Sequence, residues 1–76
     1  MENISNWDEI LKKEARGLND YDLGEVNEVL PEIVVTKKGV VDKDKFYLPK
    51  KLVERFDGDK VWFSINKEDA QTYRKD

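Results

Sequence analysis

Apolar and polar positions alternate most cleanly in "KVWFSI", where Val61, Phe63 and Ile65 fall on one side of an extended chain and Trp62 and Ser64 on the other. "EIVVTKK" is a second strand signal, β-branched through four consecutive residues. We place Ile33 and Val35 toward a core there, with Val34 turned outward. "GEVNEVL" before it is extended as well, with Val29 and Leu30 blurring its alternation, and Pro31 separates the two runs. "VVDKDKFYL" supplies a further strand after a turn at Asp42–Asp44, with Phe46 and Leu48 inward and Tyr47 outward.

Helical period is confined to the ends. Ile4, Trp7, Ile10 and Leu11 share one helical face, and Ser5 with Asp8 three residues on fits a capping box. Ala15 to Leu18 fits either a helix end or an extended segment. After Pro49, the spacing of Leu52, Val53 and Phe56 predicts a helical turn or two, with Lys50, Lys51 and Arg55 facing water. Asn66, with Asp69 three residues on, is placed to cap a short terminal helix. "NDYDLG" and "DGD" are turn chemistry.

About five or six short strands bounded by turns, with short helices at both ends, predict a mainly β fold, a small barrel or sandwich. The 76 residues make a single domain. Residues 1–14 are read as an N-terminal helical extension, 15–66 as the barrel and 67–76 as a short C-terminal helix or tail.

Composition narrows the chemistry. With no cysteine and no histidine, thiolate and imidazole metal ligands are absent, and a reducing cytoplasmic setting is expected. The three Asp-x-Asp triplets fall at turns, where Asx bonding explains them without a metal. The serines and threonines have no histidine to serve as base, so neither a catalytic nor a cofactor-binding residue is assigned. No apolar stretch approaches the ~18 residues of a membrane span, and no membrane partner is expected.

Charge divides along the chain. Residues 1–35 carry nine acids against three bases, and residues 36–76 carry eight acids against eleven bases. The net charge of −3 argues against a general nucleic-acid binder. Lys37, Lys38, Lys43, Lys45, Lys50 and Lys51 nevertheless cluster near Tyr47, a pattern suited to phosphates beside a stacked base. The out-of-phase apolar residues Trp62, Tyr47 and Val34, together with Trp7, are candidate anchors for a protein partner.

"DYDLGEVNEV", "FYLPKKLV" and "DGDKVWFSI" resemble, in order and spacing, the PRC-barrel family, with Gly24 and Val26 at the positions of its opening hairpin motif. The small single-domain archaeal members come closest in layout. The departure is "KKEARGL", which lacks the apolar alternation of a first strand. The resemblance implies a compact antiparallel β-barrel without catalytic or cofactor-binding residues. Its members look like docking modules, among them part of a photosynthetic reaction-centre subunit, a domain of a ribosome maturation factor and proteins tied to cell division. The function expected is therefore a non-catalytic docking or adaptor module, with a protein partner that includes a second copy of itself as a homodimer. RNA or ribosome binding through Lys37, Lys38, Lys45, Lys50 and Lys51 is the alternative.

Overall fold

β-Branched and aromatic residues dominate the segments that pair, and the turns between them are glycine, proline, asparagine and aspartate. The computed structural model describes residues 6–39 and 44–75. Seven strands form one sheet there: β1 (Glu14–Arg16), β2 (Asp22–Val29), β3 (Ile33–Lys38), β4 (Asp44–Pro49), β5 (Val53–Phe56), β6 (Lys60–Phe63) and β7 (Arg74–Lys75). Their order is β5-β6-β1-β2-β3-β4-β7.

The mainly β class holds, with two changes to the expected architecture. β1 pairs with β6 in parallel, so the sheet is not wholly antiparallel. β5 and β7 are its two edges, and the sheet does not close through them. Both edges are blunted: β5 is four residues long, bulged beside Glu54 and charged, and β7 has two residues, both basic.

One hydrophobic cluster draws on β1 to β6: Ala15, Leu23, Val26, Val34, Phe46, Leu48, Val53, Val61 and Phe63, joined by Ile10, Ile65 and Ala70. Among the described residues no helix is longer than four residues, so the sheet itself, with Ile10, Ile65 and Ala70 from the segments beside it, encloses this cluster.

Val34 belongs to that core, with no exposed surface. This corrects the outward placement of Val34, whereas Val35 is buried as expected. Val34 and Thr36 stand opposite Leu48 and Phe46, with Val34 inside the main cluster, while Ile33, Val35 and Lys37 alternate to the other face, where Val35 is itself covered. A threonine on the inner face hid the alternation, and its hydroxyl is buried without a hydrogen-bond partner.

In β2 a bulge at Asn27 lets Val26 face the core while Glu28 turns to solvent, which accounts for the blurred pattern there. Gly24 has φ +88°, and a Cβ at that position would stand 2.3 Å from the carbonyl oxygen of Lys37. Only glycine fits so close an approach of β2 to β3.

The ends are shorter than predicted. Trp7–Ile10 is a single 3-10 turn capped by Asn6, whose Oδ1 accepts the Asp8 N–H at 3.1 Å. Ile4 and Ser5, to which the helical face and cap were assigned, lie outside the described residues, as do Asp42 and Lys43. The helix predicted after Pro49 is instead one 3-10 turn, Lys50–Leu52, followed directly by β5. Val53 is buried and Phe56 packs on the core from a strand, because β6 supplies backbone partners that outweigh a weak helical spacing. Asn66 caps α1 (Lys67–Ala70) as expected, accepting the Asp69 N–H at 2.7 Å. The segment after α1 then returns as β7, a strand with no readable period.

No helix among the described residues is long and apolar enough to cross a membrane.

Candidate functional site

The β3–β4 hairpin brings outward residues into successive rows. Ile33 stands opposite Pro49, Val35 opposite Tyr47, and Lys37 opposite Lys45. β7 extends the last row, because Lys75 pairs with Lys45 on its other side. Three lysines thus stand side by side on adjacent strands, next to an aromatic row and then an apolar one. Among the described residues none of the three ammoniums has a carboxylate within salt-bridge distance. The Lys75 ammonium lies 6.0 Å from the centre of the Tyr47 ring, at the outer limit of a cation–π contact.

Beyond the Ile33–Pro49 row the surface opens into a cleft of about 490 Å³, lined by Pro31, Glu32, Ile33, Pro49, Lys50 and Lys51. Pro31 sits in the turn closed by the Leu30 N–H donating to the Ile33 carbonyl at 2.8 Å. The cleft and the lysine row occupy opposite ends of one strip along the hairpin.

The predicted lysine face is therefore divided. Lys37 and Lys45 share the row. Lys38 leaves it, its ammonium 5.3 Å from the Tyr21 ring centre. Lys50 covers Trp7 at 4.5 Å and, with exposed Lys51, borders the cleft. Lys43 is outside the described residues. Lys75 was missed, since a two-residue strand carries no sequence pattern. Ile33, Pro31 and Pro49 were read only as structural.

The aromatic candidates separate too. Trp62 is half-buried, and its indole N–H donates to Asp57 Oδ2 at 3.0 Å while the Arg55 guanidinium stacks 4.8 Å from its ring. Asp57 Oδ1 accepts the backbone N–H groups of Lys60 at 2.7 Å and Asp59 at 2.9 Å. The Lys60 amide, the Trp62 indole and the Asp59 amide together hold the Asp57 carboxyl well below the usual carboxylate range. This corner is a closed turn that uses both ends of its aromatic residue. Trp7 is packed against the core beneath Lys50, and Val34 lies inside it. Of the four candidate anchors, Tyr47 alone borders the lysine row.

A second recess, of about 420 Å³, is lined by charged groups of β1, β2 and β3. Some of its charges are used within it: Arg16 Nη2 donates to Glu14 Oε2 at 2.6 Å, and Asp22 Oδ1 accepts the Gly24 N–H at 2.8 Å, while Lys37 of the lysine row and Glu25 also line it. Among the described residues no group of three or more acidic side chains is placed to hold a metal ion. The Asp57 and Asp22 carboxylates serve as turn acceptors, as their Asp-x-Asp spacing predicts.

No family model matches the chain, and no curated protein matches it.

Proposed function

We propose that this protein is a non-catalytic docking module with the layout of a PRC-type β-barrel, acting in the cytoplasm. Its working surface in this reading is the outward strip of the β3–β4 hairpin. The observation that carries it is the juxtaposition of Lys37, Lys45 and Lys75 in one cross-strand row beside Tyr47. Glu25 stands opposite Lys37 on one side, but Lys45 has a lysine opposite it on both strands, and like charges so placed weaken a sheet rather than stabilise it. A partner bearing negative charge turns that cost into attraction, and a half-buried tyrosine provides contact area at low entropic cost.

The barrel layout draws its support from one sheet enclosing one core and from the order of the Gly24–Val26, Pro49 and Val61–Phe63 segments. RNA is the second reading, favoured by the same lysines. The row weighs against it, because it continues across β2 and β1 as Glu25 and Glu14, which repel a phosphate backbone following the same path.

A photoreactive phenylalanine analogue at position 47, with the same analogue at position 62 as control, tests the proposal in lysate of the native source. Ribonuclease-resistant protein adducts at 47 and none at 62 are expected. Equal adducts at both positions would remove the assignment of this face, and adducts lost entirely to ribonuclease would make the RNA reading the correct one.

A further inference from the structure

The strip has a length as well as a charge. Its apolar cleft begins at Ile33 and Pro49, and its lysine row stands at Lys37 and Lys45, four residues further along β3. Four residues of extended chain cover about 13 Å. Because this distance runs along the strands, the curvature of the sheet does not turn the two ends away from each other.

Building on the docking reading, we infer that the partner is an extended protein segment with an apolar side chain at one point and a short run of acidic residues about four positions away. The apolar side chain enters the cleft between Pro31, Ile33 and Pro49. The segment crosses half-buried Tyr47, with Val35 buried beside it, and its carboxylates meet Lys37, Lys45 and Lys75. Two proline rings and an isoleucine make the apolar wall of the cleft, which suits an aliphatic or aromatic residue, while Glu32, Lys50 and Lys51 form its charged rim. Three ammoniums on neighbouring strands span about 10 Å, enough for two or three carboxylates and short for a polyanion. Glu25 on the far side of Lys37 bounds the acidic run from that direction. The strip thus works as a ruler that reads both the presence and the separation of two features.

The test uses the full chain and synthetic fluorescent peptides, each with one leucine and three consecutive glutamates separated by two to seven residues of glycine and serine. One series places the leucine before the acids and the other places it after them. Fluorescence anisotropy is expected to give tightest binding near a separation of four in one of the two series. Affinity falls with added salt, as contacts between exposed charges do. Lys37→Gln, Lys45→Gln and Lys75→Gln each weaken binding about two- to fivefold, the range of an exposed ion pair. Ile33→Thr, which keeps a β-branched residue in the strand, weakens the leucine peptides and leaves a glutamate-only peptide unchanged.

Binding that ignores separation, or survives loss of the lysines, overturns the inference. So does a single-stranded oligonucleotide that binds through the same lysines more tightly than any peptide. If no peptide binds while cross-linking at position 47 still traps protein, the ruler is wrong and the docking face stands. If neither occurs, both fail.

Discussion

Two outward aromatic residues sit in one sheet and have opposite fates. Trp62 on β6 spends its indole N–H on Asp57 and its ring face on Arg55. Tyr47 on β4 has only a distant lysine over its ring and stands between an apolar row and a cationic one. Both alternate out of the core, and the sequence gives each the same outward-facing sign. What separates them is whether the polar end and the ring face are already used by the chain itself. An aromatic residue that closes its own turn is a structural part, whereas one bordered by a row of adjacent lysines is oriented toward something else.

That contrast fails most visibly if the two residues contribute equally to stability. Trp62→Ala is expected to cost about 2 kcal/mol, because it removes a half-buried ring and leaves Asp57 without its indole donor. Tyr47→Thr keeps a strand-favouring residue and is expected to cost less than about 1 kcal/mol while weakening peptide capture. Urea denaturation of both variants decides the matter. Equal losses would dissolve the distinction.

The Trp62 corner also makes a pH prediction. The folded Asp57 carboxyl titrates below its unfolded value of ~3.9. Its contribution is therefore fully present above that value and disappears as the pH falls through the folded one. The stability gap between the native chain and Asp57→Asn should be constant from neutral pH down to about 4 and narrow below it. A thermal-melting series across that range measures it, and a gap that widens in acid would contradict the assigned hydrogen bonds.

On the inner side of the hairpin, Thr36→Val replaces a buried hydroxyl that has no partner with a methyl group of the same shape. A gain of about 1 kcal/mol is expected, with peptide affinity unchanged because the outer rows are untouched. The smallest effect belongs to Arg55→Lys. It retains the charge but loses the planar stack on Trp62, costing about 0.5 kcal/mol in the same denaturation assay.

Strand positions were legible wherever side chains alternate or are β-branched, as in β3, β4 and β6, and turns were legible from glycine, asparagine and aspartate. Facing was less so. In "IVVT" every residue suits a strand and Val34, Val35 and Thr36 are all buried, so only the packing of Val34 into the main cluster fixes which side is inward. The segment from Lys50 to Phe56 carries a faint helical spacing, yet the edge of β6 claims it as a strand. The lysines were visible as a group, but their division was not. Only pairing places Lys37, Lys45 and Lys75 in one row while sending Lys38 to Tyr21 and Lys50 to Trp7. Lys75 required knowledge that the C-terminal segment returns to β4, which no local pattern encodes.

The parallel pairing of β1 with β6 has a kinetic consequence. β2, β3 and β4 are near neighbours in the sequence, and so are β5 and β6, so each group assembles locally. Joining them means bringing residues 14–16 beside residues 60–62, a closure of roughly 45 residues that is repaid by only three paired positions. Non-local pairing of this kind sets the pace of folding. Ala15, between Gly24 and Val61, stands at the junction. Weakening it with Ala15→Gly should slow refolding in stopped-flow measurements while leaving the unfolding rate nearly unchanged, which would show this seam to be formed in the rate-limiting transition state.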